Sequence, residues 1–241
     1  MIQIKNVSKS YKKGNKVIDK LDLEIKDGEI FGFLGPNGAG KTTTIKMITG
    51  ILEIDDGQIL IDGIDISKDP VNAKLKFGFV PDSPDMFLKL TGIEYLNFIA
   101  DCYNVSTEER IEKIDKLSKE FGMYDELNNK IESYSHGMRQ KIVIIAVLLH
   151  SPNNWILDEP ITGLDPKSSF DLKRLMKNHA ESGKCVFFST HILEIAEKLC
   201  DRVGIINNGK VIFVGTIQEM KEKYKNYNSL EEIFMEIVNN E

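Results

Sequence analysis

Short apolar runs separated by turn residues occupy both ends of the chain. The β-type runs are Ile2–Val7, Val17–Ile25, Glu29–Leu34, Gln58–Asp62, Phe77–Val80, Trp155–Asp158, Cys185–Ser189, Val203–Ile206 and Val211–Val214. Compact or alternating apolar blocks bounded by Gly, Asp and Asn are what strands look like in sequence. Asp27-Gly28, Asp56-Gly57, Asp62-Gly63 and Asn208-Gly209 read as turns, and Asn208-Gly209 between two such runs predicts a two-residue hairpin. From about Pro84 to His150 the period becomes helical. Ser106 with Glu109 predicts a capping box, after which Ile111, Ile114, Leu117 and Phe121 recur at helical spacing until Gly122. The stripe Ile142, Ile145, Ala146 and Leu149 reads as a core-facing helix. A second box, Ser229 with Glu232, opens a terminal helix with Leu230, Ile233, Phe234 and Ile237 on one face. These patterns predict an α/β core discontinuous in sequence, a helical insertion and a short helical tail.

Composition narrows the class. The 241 residues suffice for one large domain or two small ones. A chain this long buries about 70% of its unfolded surface and needs no disulfide or structural metal to fold. The longest apolar run is Ile142–Leu149, eight residues, against the roughly 20 of a membrane span. Met1 leads directly into Ile2–Val7, with no signal-peptide pattern. Cys102, Cys185 and Cys200 are odd in number, scattered and without a CxxC, which fits a reduced cytosol and offers no metal cage. A net charge of −6 argues against a general nucleic-acid binder. The first 50 residues nevertheless hold nine lysines against five acids, a hint of an anionic ligand there.

Two segments carry chemistry. Residues 35–42 read Gly-Pro-Asn-Gly-Ala-Gly-Lys-Thr, the GxxxxGK[ST] pattern, between a β-type run and a predicted helix over Thr42–Ile51. Glycines let successive N–H groups turn inward around phosphate oxygens, and the helix start adds partial positive charge. Lys41 then reaches β/γ-phosphates and the Thr42 hydroxyl can ligate Mg²⁺. Trp155–Leu157 is an apolar strand that ends in Asp158 and Glu159 before Pro160. Strand C-termini face the ligand crevice of a parallel sheet. Asp158 there can hold the Mg²⁺ shell, and Glu159 can orient or deprotonate the attacking water. A strand-ending acidic turn is the plainer reading, and Lys41 with Thr42 tips the balance toward chemistry.

With these residues the chain resembles the ATP-binding subunit of an ABC transporter over nearly its whole length. Tyr11 stands where the family places an adenine-stacking aromatic, although packing against the N-terminal sheet is its alternative. Gly35, Pro36, Asn37, Gly38, Ala39, Gly40, Lys41, Thr42 and Thr43 form the phosphate loop. Tyr134-Ser135-His136-Gly137-Met138 holds the place of the signature sequence, with Ser135 and Gly137 as the groups that hold a γ-phosphate. Gly163-Leu164-Asp165-Pro166 matches the loop that crosses the dimer interface, and Asp165 alternatively caps a turn. Phe188-Ser189-Thr190-His191 ends in the switch histidine, whereas His136, His150 and His179 read as surface or helix-end residues. Two departures stand out. His136 and Met138 replace the usual Gly and Gln of the signature, a form similar to the drug- and antibiotic-exporting branch. Asp82 follows the Phe77–Pro81 run where many relatives carry Gln, and its shorter side chain can still meet Mg²⁺.

The resemblance implies a P-loop NTPase (RecA-like) α/β core with an N-terminal antiparallel β subdomain and an inserted α-helical subdomain. The expected division is a single ATPase domain over 1–220, with core 1–83 and 151–216, helical subdomain 84–150, and a tail over 217–241. It implies ATP and Mg²⁺ as ligands, a homodimer that closes on ATP, separate integral-membrane subunits, and for this chain a peripheral place at the cytoplasmic face of the cell membrane, soluble when isolated, with export favoured. Phe87–Ala100 reads either as the face that receives such a subunit or as plain core. The tail helix docks either on the chain itself or on a second copy. From another class, an ATP-switched interaction protein acting on the ribosome or another soluble partner shares these motifs. A chromosome ATPase would carry a long coiled coil between Lys41 and Ser135, and no sustained heptads are present there.

Overall fold

Buried apolar strands with no polar face form the centre of the molecule, as expected for a sheet covered on both sides. The computed structural model describes residues 1–12, 15–225, 227 and 229–239. One sheet is antiparallel, with order β2-β1-β4-β5, from β1 (Ile2–Lys12), β2 (Asn15–Ile25), β4 (Asp56–Ile61) and β5 (Ile64–Asp65). The second has order β10-β9-β3-β8-β7-β6. Its members are β3 (Ile30–Leu34), β6 (Phe77–Val80), β7 (Asn154–Asp158), β8 (Cys185–Thr190), β9 (Arg202–Asn207) and β10 (Lys210–Gly215). All neighbours in it are parallel except β9 and β10, joined by the hairpin at Asn208-Gly209. Both turn residues lie in the left-handed region, at φ 46 and 77, which matches the twist of a two-residue hairpin.

Period-2 alternation sorts side chains between layers. Phe31, Phe33, Ile156 and Phe187 point into a core shared with the antiparallel sheet and with α1 (Lys41–Ile48). Leu157, Val186 and Phe188, one position away, join a second core with the helices. Those helices are α3 (Gly92–Cys102), α4 (Thr107–Glu120), α5 (His136–Leu149) and α6 (Pro166–Glu181), while α2 (Pro70–Lys74) and α7 (Leu193–Leu199) are short. α8 (Ile217–Lys223) and α9 (Leu230–Asn239) complete the described chain. Leu230, Ile233 and Ile237 of α9 bury against Leu34, Val203, Ile205 and Met220, so the tail docks on the chain itself.

Several local expectations change. Asp56-Gly57 lies inside β4, where the pairing with β1 shifts register between Lys5 and Ser8, so the pair belongs to a bulged strand and not to a turn. Ser106 accepts from the Glu109 N–H at 3.2 Å, but the Glu109 carboxylate pairs with Lys113 at 2.6 Å, so only half of that box forms. Ile111 is 65% exposed. At 3.6 residues per turn it falls about 60° outside the sector shared by Ile114, Leu117 and Phe121. The first helix stops at Ile48 instead of Ile51, where the Thr49 hydroxyl turns back to the Ile45 carbonyl at 2.9 Å. His179 is buried, with its ring stacked on Trp155 at 4.2 Å. His150 ends α5 as a cap, and its ring stacks on Tyr103 at 3.6 Å. Among the described residues, no helix is long and apolar enough to cross a membrane.

Candidate functional site

Because β3, β6, β7 and β8 run parallel, their C-terminal ends reach one edge of the sheet, with Leu34 opposite Thr190 and Asp158 opposite Ser189. The loop 35–40 leaves β3 there and enters α1 at Lys41. Gly40 sits at φ +113, and a Cβ on it would stand 2.6 Å from the Ile18 Cδ1, so only glycine fits. Ala39 donates to the Pro36 carbonyl at 3.2 Å, and the hairpin tip supports the loop from below through Gly209 N–H to the Ala39 carbonyl at 2.9 Å. The Lys41 side chain folds back over this loop: its ammonium donates to the carbonyls of Gly35 at 2.7 Å and Pro36 at 3.2 Å. It is 7% exposed. Burial lowers its pKa, and the charges of Glu159 and Asp158 act against that.

The acids answer from β7. Asp158 is 2% exposed. Its carboxylate accepts from the Ser189 hydroxyl at 2.5 Å. Burial raises its pKa; the hydroxyls of Ser189 and Thr42 oppose the shift, and the charges of Asp82 and Glu159 add to it. Glu159 holds φ at 47, a left-handed conformation for a residue with a side chain, at a cost of about 1 kcal/mol or more. Its N–H donates to the Ser189 hydroxyl at 3.0 Å. One carboxylate oxygen, Oε1, lies 3.0 Å from His191 Nδ1. The other, Oε2, is buried with no hydrogen-bond partner. A desolvated carboxylate beside hydroxyl and carboxylate oxygens is a hard donor set, which suits Mg²⁺. The unpartnered Oε2 is an acceptor available to a water.

Tyr11 is 59% exposed, and its hydroxyl lies 3.3 Å from Thr43 Oγ1, so the ring stands over the start of α1. Thr42 and Asp82 are exposed. Ser135 caps α5 by accepting from the Met138 N–H at 3.3 Å, and Tyr134 is buried with its hydroxyl donating to the Glu126 carbonyl at 2.6 Å. Asp165 caps α6, accepting from the Ser168 N–H at 3.0 Å and hydroxyl at 2.8 Å. Thus Lys41, Thr42, Asp158, Glu159 and His191, with Asp82 and Tyr11 at the margin, come together within one chain. Ser135, Gly137 and Asp165 group separately, around the loop at 163–165. Ser189 joins Asp158 to the Glu159 backbone and was not singled out from the sequence. Its signal is a hydroxyl directly after the apolar Cys185–Phe188 run.

Comparison with known proteins places the chain in a family. The ABC transporter family model matches residues 18–162. The Linearmycin resistance ATP-binding protein LnrL of Bacillus subtilis (strain 168) is 40% identical over 217 residues, 90% of this chain and 69% of that protein. A solved ATP-binding subunit of an ABC transporter superposes with a TM-score of 0.93 at 32% identity, covering 98% of this chain and 99% of the other. A dimeric ATP-binding cassette in a post-hydrolysis state, bound to ADP and Pi, gives a TM-score of 0.81 at 27% identity, covering 90% and 99%.

Proposed function

We propose a working cycle for a chain that belongs to the ABC transporter family and is an ATP-hydrolysing subunit of it. Two copies face each other head to tail. ATP occupies the 35–43 loop of one copy, with Tyr11 against adenine, while Ser135 and Gly137 of the second copy close over the γ-phosphate. Lys41 exchanges the Gly35 and Pro36 carbonyls for β/γ-phosphate oxygens. Thr42, Asp158 and Asp82 would hold Mg²⁺, which would neutralise phosphate charge there. Glu159 positions the attacking water through Oε2, and His191 fixes Glu159 through Oε1 and steadies the γ-phosphate. Such catalysis works by positioning and charge neutralisation, with little covalent chemistry by the protein. The observation that carries this reading is Glu159: strained, clasped on one oxygen and unpartnered on the other. Glu159→Gln should keep ATP affinity and lose at least about 100-fold in turnover. Near-normal turnover would remove Glu159 from the role.

Hydrolysis in one copy then opens the dimer, and that motion drives separate membrane subunits, with export favoured by likeness to a linearmycin resistance protein. A groove of about 250 Å³ supports a docking place for such a subunit: Met86 and Phe87 rim it and Tyr95, Tyr103 and Val147 line it. Ile51, Met86, Phe87 and Phe98 expose 38–61% of their surface around it, an apolar patch of the kind that marks a partner site. Phe87→Glu should leave ATP hydrolysis by the isolated chain intact and abolish co-fractionation with membranes. Unchanged membrane association would remove the groove from this role, and association with ribosomes instead would favour the soluble-partner reading.

A further inference from the structure

Three contacts fasten the beginning of α5 to the loop that leads from Glu159 to α6. Lys141 Nζ pairs with Asp165 Oδ2 at 2.7 Å, and the lysine side chain is only 16% exposed. The Gly137 backbone approaches Gly163 so closely that a Cβ on Gly137 would stand 2.8 Å from the Gly163 carbonyl oxygen. The His136 ring lies over Gly163, where a Cβ would meet its Cδ2 at 2.7 Å. The loop is tied equally to its other end. Thr162 N–H donates to the Glu159 carbonyl at 3.1 Å, Leu164 N–H to Ile161 at 3.3 Å, and Asp165 caps α6. One ion pair and two close approaches therefore link the start of α5 to the loop, whose own hydrogen bonds lead back to the backbone of Glu159.

We infer that Lys141 is a positioning residue that couples the two half-sites of each protomer. By holding Asp165, with His136 seated on Gly163, it makes the segment 135–138 and the segment 159–165 move as one body. Under the two-copy reading proposed above, on which this inference rests, segment 135–138 closes on the second copy's nucleotide while Glu159 acts on the chain's own. Closure at one nucleotide thereby alters the carboxylate at the other, which is a coupling free energy between two sites. An isolated surface ion pair would contribute little. In this pair the lysine is largely buried and the aspartate half-exposed, and it is the charged tie beside two close approaches, so its loss loosens the loop against α5.

The test compares wild type, Lys141→Met and Lys141→Arg by hydrogen exchange without nucleotide and by ATPase rate against ATP concentration. In Lys141→Met, amides 162–165 should exchange several-fold faster while those of α1 stay unchanged. ATP affinity should be kept, and the Hill coefficient should fall from toward 2, its ceiling for two sites, to about 1. Lys141→Arg should restore both readouts. A merely structural lysine would not move the Hill coefficient at constant ATP affinity. Unaltered exchange at 162–165, or a Lys141→Met protein as cooperative as wild type, overturns the inference while the two-copy reading stands. A wild-type chain that hydrolyses ATP without cooperativity and without dimerising overturns both.

Discussion

Lys41 and Asp158 are buried charges of opposite sign, and no ion pair joins them. Each settles for neutral partners, backbone carbonyls for the ammonium and a serine hydroxyl for the carboxylate. Desolvated charges held this way cost stability, which under the proposed cycle a phosphate and a cation would return on binding. Asp158→Asn should therefore stabilise the nucleotide-free chain by roughly 1 kcal/mol, or a few degrees of melting temperature, while abolishing Mg²⁺-dependent hydrolysis. The pKa of Asp158 is raised in the fold, so the folded state holds its proton more tightly than the unfolded one. Ionisation then removes stability as pH rises, and the advantage of the asparagine variant should grow with pH. A melting series across pH checks this, and an advantage that shrinks with rising pH contradicts it. Lys41→Ala should weaken ATP binding by about 10- to 100-fold, the worth of charge-assisted hydrogen bonds, in a direct titration. These residues were legible because phosphate chemistry leaves few choices of side chain. Ser189 and the left-handed backbone of Glu159 were not, since one is a common residue in a strand and the other has no sequence signal.

At the scale of elements, local pattern and turn chemistry carried far. Among the described residues, nine of the ten strands lie on apolar runs of the sequence, and the two-residue β5 is too short to leave a pattern. His136 begins α5, His150 caps it and His179 lies in the last turn of α6, so all three are helix-end residues; what sequence leaves open is the burial of His179, because a helical residue's partner lies across the core. His179 on α6 stacks on Trp155 of β7, and its Nε2 lies 3.2 Å from the Asn153 carbonyl. Burial pushes its pKa down to about 4, and that of His150 likewise to about 4. Both rings are thus neutral in the fold, and the unfolded chain takes up protons first. Their contribution is complete above the unfolded value near 6.5 and is lost as pH falls from there toward 4. His179→Gln should flatten the fall in melting temperature between pH 6.5 and 4 without altering ATP affinity. An equally steep fall in the variant would assign the acid sensitivity elsewhere. On α9, Ile233 is 2% exposed against Ile205 and Met220. Ile233→Ala should cost about 2–4 kcal/mol, whereas a neutral effect in denaturant titration would mean that the tail does not dock.

The whole molecule depends on strand order, and order is the part that sequence pattern leaves open. β8 lies between β3 and β7, so the loop with Lys41 and the acids of Asp158-Glu159 reach one edge from non-adjacent strands. Every strand involved is short, apolar and buried, and nothing in its composition says which neighbour it pairs with. The same order leaves Ser135 and Gly137 on the α5 side, grouped with 163–165 and not with their own chain's Lys41. Under the proposed cycle a second copy completes the site, and ATP is the group that both copies would share. The most direct measurement is the molar mass of the Glu159→Gln chain in solution, by size-exclusion with light scattering, with and without ATP–Mg²⁺. The expected result is the 27.3 kDa monomer without nucleotide and a species of twice that mass with it. A monomer that binds ATP and does not shift would contradict the shared site.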